Sequence, residues 1–381
     1  MSIDIVRDHK DLDKYFYVSY EVEGSKSVFD VAWGIAIGQS IGNPSTRSVW
    51  ETEEMIEAHC AKIIRNDNFN DKSGIVEIGY PNINMDWDTD GISHLLCMIM
   101  GGQTDIDSIK RCRVIGLEIH PDIISTHFRK PRYGITGMRR LTNTPIKPFF
   151  GGIIKPKTGI TPHQLLDMVK ELVDGGVNFI KEDEILSNPA INRLEDRVPL
   201  IADYIKGKNV VYTFCINSDP LYVVDRAHFV AEHSDDCGLG IHVNFWSGFG
   251  VYKSIRDLDL PLFIHYQKSG DKVITHPNNP FGISWHVLCQ LASLCGVDTI
   301  HSGMYGGYLS DTEEDIRETF RILHGNDLVP ALSCGMTAEL IQPIVEKFGM
   351  DWMANVGGAI HGHTEGTLAG ARKIRNAIDT L

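Results

Sequence analysis

Gly175-Gly176-Val177-Asn178-Phe179-Ile180-Lys181-Glu182-Asp183-Glu184 is a short apolar run that ends in one lysine and three acids. If the run is a buried strand, its tip gathers a lysine and carboxylates around one point. A hard cation such as Mg²⁺ takes several oxygen ligands near octahedral geometry, and Asp183 and Glu184 can supply two. Lysine joins such a set only if its charge is removed, for instance by CO₂ adding to the amine as a carbamate. Glu182 should point away from that site, since alternate strand residues face opposite sides. The competing reading is a helix start with acids near its N-terminus and a solvated lysine.

The elements that would hold such a tip in place follow from the rhythm of the chain. After Pro145 short apolar runs recur at 149–155, 177–184, 210–217, 239–245, 262–265, 299–303, 329–333 and 353–358. Helical spacing fills stretches between them, for example 162–172, 198–205, 285–294, 313–323 and 338–348. Eight strands alternating with helices predict a (β/α)₈ TIM barrel over 146–381. A doubly wound open sheet is the alternative, weakened because no Gly-x-Gly-x-x-Gly follows an early strand. Chemistry in such a barrel sits at the C-terminal strand ends. Those ends carry Lys155 and Lys157; Lys181, Asp183 and Glu184; Asn217; His265; His301; Ser333, Cys334 and Gly335; Gly357 and Gly358. So many polar groups and close-approach glycines, with apolar residues behind them, are hard to explain as packing.

Residues 1–145 lack the regular βα rhythm and read as a small α+β domain. Strands are predicted at 15–22, 74–80 and 112–119, and helices at 28–40, 52–64 and 92–100. The net charge of −14 argues against nucleic acid and against anionic membranes. The eight cysteines, Cys237 among them, form no Cys-x-x-Cys pair and sit mostly in apolar runs, which predicts reduced, buried thiols. With no apolar stretch of membrane-spanning length and no signal-like N-terminus, the expectation is a soluble cytoplasmic protein.

Together these residues resemble the RuBisCO superfamily. Gly152-Ile153-Ile154-Lys155-Pro156-Lys157 is similar to its first-strand signature, and Lys181-Glu182-Asp183-Glu184 to its metal site. His301-Ser302-Gly303 and Val356-Gly357-Gly358 follow in the expected order. The resemblance implies a ferredoxin-like N-terminal domain before the barrel and a homodimer, or multiple of dimers, whose site borrows residues from the partner. It also implies that Lys181 is carbamylated by CO₂ and binds Mg²⁺ with Asp183 and Glu184. Lys155 would act as acid or base, with His265 and His301 assisting proton transfer. Lys157, Ser333, Gly335, Gly357 and Gly358 would contact a phosphorylated small-molecule substrate.

The departures are as informative. Carboxylases of this family carry a mobile lysine where this chain has Tyr308, and a phenol cannot replace that cation. The arginine expected after the fifth-strand histidine is Tyr266. Gly38, Asn43 and Pro44 stand where the resemblance expects an N-terminal glutamate and a threonine-tryptophan pair. The pattern resembles RuBisCO-like proteins of form IV. Asn355-Val356-Gly357-Gly358-Ala359-Ile360-His361-Gly362-His363 is similar to the enolases acting on a diketo-methylthiopentyl phosphate, although those enolases take their base from an N-domain lysine after a Phe-Gly pair and Met100-Gly101-Gly102-Gln103 has no lysine. The implied function is Mg²⁺-dependent enolisation of a phosphorylated ketose or keto-acid derivative, by isomerisation, tautomerisation or decarboxylation. The alternatives are a carboxylase of low activity and a non-catalytic scaffold or regulator. His361 and His363 read as supports rather than reactants.

Overall fold

The computed structural model describes residues 4–234, 238–309 and 311–381; Cys237 lies outside them. The chain divides into two compact units, Met1–Phe128 with Gly270–Leu291, and Arg129–Ser269 with Ala292–Leu381. The strands in chain order begin with β1 (Val6–Arg7), β2 (Tyr15–Gly24), β3 (Lys62–Ile64), β4 (Ser73–Pro81) and β5 (Ile109–Glu118). β6 (Phe149–Ile153), β7 (Phe179–Lys181), β8 (Val211–Cys215), β9 (Gly238–Asn244) and β10 (Phe263–Gln267) follow. The last are β11 (Phe281–Ile283), β12 (Thr299–His301), β13 (Val329–Leu332) and β14 (Met353–Val356).

The first unit is α+β, with sheet order β1-β3-β4-β2-β5-β11. β2 runs antiparallel to β4 and β5 and buries Phe16, Val18, Tyr20 and Val22 on one face. The buried hydroxyls of Tyr20 and Tyr80 lie 2.8 Å apart, and Tyr20 also donates to the Ile99 carbonyl at 2.8 Å, so both phenols are satisfied. The helix expected over 52–64 is shorter. It spans Glu53–His59, capped by the Thr52 hydroxyl, which accepts from the Met55 N–H. Cys60 is extended, and β3 then pairs with β1 and β4. Burial of Ala61 and Ile63 in the sheet overrides the helical spacing. β11, which lies in sequence between two barrel strands, pairs with β5. Buried Arg113 secures it by donating to the carbonyls of Thr275 and Ile283, each at 3.1 Å.

The second unit is a closed barrel of eight parallel strands, ordered β6-β7-β8-β9-β10-β12-β13-β14 and back to β6. Closure removes the open-sheet alternative. Helices alternate with the strands. Pro162–Asp174 is representative: Thr161 and Gln164 cap it reciprocally, and Leu165, Val169 and Leu172 make its buried stripe. The first residues of several strands (Phe149, Phe179, Val211, Phe263, Val329 and Met353) pack with Met138 into one apolar cluster. Each such large side chain contributes about 1.5–3 kcal/mol on burial. The plug closes the N-terminal end, which leaves the polar residues at the other.

Among the described residues, the cysteines are all free; Cys60, Cys112, Cys215, Cys289 and Cys295 are buried, Cys97 is exposed and Cys334 half-buried. No helix among them is long and apolar enough to cross a membrane.

Candidate active site

A cavity of about 420 Å³ opens at the C-terminal ends of the barrel strands. Lys155, Lys157, Lys181, Asp183, Glu184, His301, Ser333, Gly335, Gly357 and Gly358 all border it. His265 does not; it is fully buried, with its ring 4.7 Å from that of His301. Gln267, Ser269, Tyr308, Cys334 and Asn355 complete much of the wall.

β7 places the acidic cluster. Its ladder to β6 and β8 ends at Lys181, after which the Glu182 N–H bonds the Thr213 carbonyl at 3.1 Å. Strand alternation then sends Lys181 and Asp183 to the cavity and Glu182 behind it. Glu182 is held there by buried Arg197, with Nε to Oε1 at 2.7 Å and Nη2 to Oε2 at 2.8 Å. The Tyr212 hydroxyl and the Cys215 N–H also donate to Glu182. Arg197 further donates to the carbonyls of Ser187 and Asn192, both in the loop after β7. Asn217 donates its side-chain amide to the Glu184 carbonyl, fixing the loop from the third strand.

On the cavity side the hydrogen bonding is sparser. Lys181 is completely buried, yet its Nζ has no hydrogen-bond partner and lies 4.0 Å from Glu184 Oε2. Burial pushes its pKa down, against the pull of Glu184 and Asp183, and so favours the neutral amine. Lys155 Nζ lies 2.5 Å from Asp183 Oδ2, and Lys157 Nζ 3.9 Å from the same oxygen.

These residues fit a divalent cation held through a carbamate. Among the described residues no three His, Cys, Asp or Glu side chains converge into a ready-made cage. Asp183 and Glu184 therefore need a further oxygen donor, and the buried Lys181 amine, which has no hydrogen-bond partner, is the group that CO₂ could convert into one.

The histidines differ in their surroundings. His242, His265 and His301 are buried, and burial holds all three well below the ordinary imidazole pKa. His242 and His265 have no hydrogen-bond partner at either ring nitrogen. His301 has two: Ser333 Oγ at 3.4 Å from Nδ1 and Asn355 Nδ2 at 2.9 Å from Nε2. His361 Nε2 bonds the Ile153 carbonyl at 3.1 Å, and burial pushes its pKa down to about 4. That contact makes it a support for the first strand tip.

The remaining wall is glycine-rich. Cys334 and Gly335 have φ of 76° and 103°, a conformation that a side chain resists. A Cβ on Gly335 would meet the Tyr308 ring at 2.8 Å. Tyr308 is itself 79% exposed, and its N–H bonds the Cys334 carbonyl at 3.2 Å. Tyr266 is buried and stacked on Tyr252, with ring centroids 4.8 Å apart, and does not border the cavity. Sequence reasoning missed Asn355, Gln267 and Arg197. The available signal was a polar side chain within an otherwise apolar strand or helix face.

Two family models match the chain: the ribulose bisphosphate carboxylase large chain catalytic domain over residues 134–325, and its N-terminal domain over 6–122. A ribulose bisphosphate carboxylase of Thermococcus kodakarensis is 30% identical, covering 93% of this chain and 85% of its own length. A ribulose bisphosphate carboxylase-like protein of Archaeoglobus fulgidus is 26% identical, covering 97% and 88%. The solved structure of an octameric ribulose-1,5-bisphosphate carboxylase/oxygenase from Pyrococcus horikoshii superposes with a TM-score of 0.88 at 25% identity, covering 99% of this chain and 91% of its own.

Proposed function

The chain belongs to the ribulose bisphosphate carboxylase large-chain family, and from that premise we propose that it is a RuBisCO-like, Mg²⁺-dependent enzyme that enolises a phosphorylated ketose or keto-acid derivative. The observation that carries this reading is Lys181, a buried amine without a hydrogen-bond partner, set beside Asp183 and Glu184 on the cavity wall. Mg²⁺ would be held by Asp183, Glu184 and the Lys181 carbamate, and would supply Lewis-acid polarisation of a carbonyl.

The rest of the chemistry falls to the chain. Enolisation breaks a C–H bond beside the carbonyl: the proton goes to the base, the C–H electron pair becomes the C=C bond, and the carbonyl π pair moves onto oxygen. Lys155 borders the cavity and is placed to act on substrate as base. His301 also borders it, but both its ring nitrogens are engaged, by Ser333 and Asn355, so its part in proton transfer would run through the Ser333 hydroxyl. His265 backs His301 rather than facing the cavity. Gly335, Gly357, Gly358 and Ser333 would receive the phosphate; nothing lies within 4 Å of a Cβ built on Gly358, so its backbone is open to close approach. A homodimer or a multiple of dimers is in keeping with the octamer formed by the Pyrococcus horikoshii carboxylase/oxygenase.

The test is NMR-detected deuterium exchange in D₂O with Mg²⁺ and bicarbonate, over a panel of phosphorylated ketoses and keto acids, with Lys181→Ala as control. Exchange on one compound, abolished in the control, is the expected result. Silence across the panel from folded, Mg²⁺-binding protein counts against enolisation.

Slow carboxylation is the second reading, favoured by the name of the Thermococcus kodakarensis relative. Tyr308 speaks against it, because no cation stands there to stabilise a carboxylated transition state. Fixation of labelled bicarbonate onto ribulose bisphosphate would decide for it.

A further inference from the structure

Asn355 borders the cavity from the apolar strand β14 and is 1% exposed. It stands at one end of a polar chain that crosses three neighbouring strands of the barrel. Its Nδ2 is 2.9 Å from His301 Nε2, at the end of β12. The other ring nitrogen, Nδ1, is 3.4 Å from the hydroxyl of Ser333, just after β13. Burial depresses the basicity of His301, so the ring is neutral at pH 7 and carries a single proton.

The direction of the chain follows from what each group can do. An amide N–H only donates, so the ring nitrogen facing it must be the one without a proton. The proton of His301 is then on Nδ1 and points at Ser333 Oγ. A hydroxyl that accepts there keeps its own proton free to donate elsewhere. Glycine at position 151 leaves the side chain its room: a Cβ there would come to 2.8 Å from Asn355 Oδ1 and from Met353 Sδ.

We propose that Asn355 is a positioning residue: it holds His301 as the Nδ1–H tautomer, so that Ser333 turns its hydroxyl proton toward an anionic oxygen of a bound phosphate monoester. The phosphate step rests on the function proposed above; the tautomer does not.

Long-range ¹H–¹⁵N spectra of protein labelled at its histidines read the tautomer directly, with His301→Gln providing the assignment. The expected pattern is a protonated, pyrrole-type Nδ1 and a bare, pyridine-type Nε2. In Asn355→Asp the carboxylate accepts from Nε2 and the pattern reverses. In Asn355→Leu both tautomers appear. A protonated Nε2 in the unaltered protein, or an unchanged pattern in both variants, overturns the proposal.

Calorimetric titration with inorganic phosphate tests the second step. Loss of a hydrogen bond to an anion predicts roughly 10-fold weaker binding in Ser333→Ala and a smaller loss, about 3-fold or more, in Asn355→Leu. Phosphate binding untouched by Ser333→Ala overturns the role given to that hydroxyl. Absence of phosphate binding in every form counts against the pocket reading, while the spectra still decide the tautomer.

Discussion

Lys181 and Glu182 are neighbours in sequence, both fully buried, and opposite in their treatment. Behind β7, Glu182 accepts from Arg197 twice, from Tyr212 and from the Cys215 N–H. In front of it, the Lys181 amine has no hydrogen-bond partner. A buried polar group without a partner costs stability, typically about 1–3 kcal/mol. A fold that satisfies one face of a strand so fully has not left the other unsatisfied for want of polar partners. The contrast separates residues that hold the site from residues kept available for a ligand.

The largest effect expected is on the holding face. Arg197→Met leaves the Glu182 carboxylate buried without its cation, and breaking one partner of such a pair costs about 3–5 kcal/mol. Chemical denaturation should show this loss, and the double variant Arg197→Met/Glu182→Gln should recover a good part of it. A single variant as stable as the parent would mean that the ion pair does not hold the tip, and the contrast would lose one side.

His361 tests the same face through pH. Its folded pKa of about 4 lies below the ordinary 6.5, so between those values the unfolded chain binds the additional proton. Stability on this account is complete above pH 6.5, falls as pH drops toward 4, and changes no further below. A shift of that size corresponds to roughly 3 kcal/mol. His361→Gln can still donate to the Ile153 carbonyl but does not titrate, so its unfolding free energy should be flatter over that window.

Much of this arrangement was legible in the sequence because the informative residues are local to strand tips. The apolar run before Lys181 placed β7, and alternation alone assigned Glu182 to the far side. The barrel followed from eight repeats of one local pattern. What escaped depended on distant pairing. Nothing near Phe281 announces that it will pair with Cys112, and nothing within 52–64 shows that β1 and β4 will claim its last residues as a strand. Asn355 was hidden for a similar reason: its meaning lies in His301, on a different strand.

On the ligand-facing side the expected sign reverses. Lys181→Met replaces an amine that has no hydrogen-bond partner by an apolar group of similar length. Without Mg²⁺ and bicarbonate, stability should stay level or rise by about 1–2 kcal/mol, as removal of an unsatisfied buried group predicts. The parent should gain thermal stability when Mg²⁺ and bicarbonate are added together, since a ligand that binds only the folded state stabilises it. The variant should gain none. Destabilisation of the metal-free variant by several kcal/mol would place Lys181 among the holding residues instead.

The smallest effect is expected at the rim, where neither treatment applies. Tyr308 is mostly exposed, and Tyr308→Lys should alter unfolding free energy by no more than about 0.5 kcal/mol. The same variant restores the cation that carboxylases of this family carry there, so it isolates the question of whether that lysine is all this site lacks. On the proposed function, labelled-bicarbonate fixation onto ribulose bisphosphate should be absent from parent and variant alike, because Tyr266, buried against Tyr252, stands where the family resemblance expects an arginine for a second phosphate. Fixation gained from this one change would show that the far side of the cavity can anchor a bisphosphate by other means, with Gln267 and Ser269 as the polar groups lining it there.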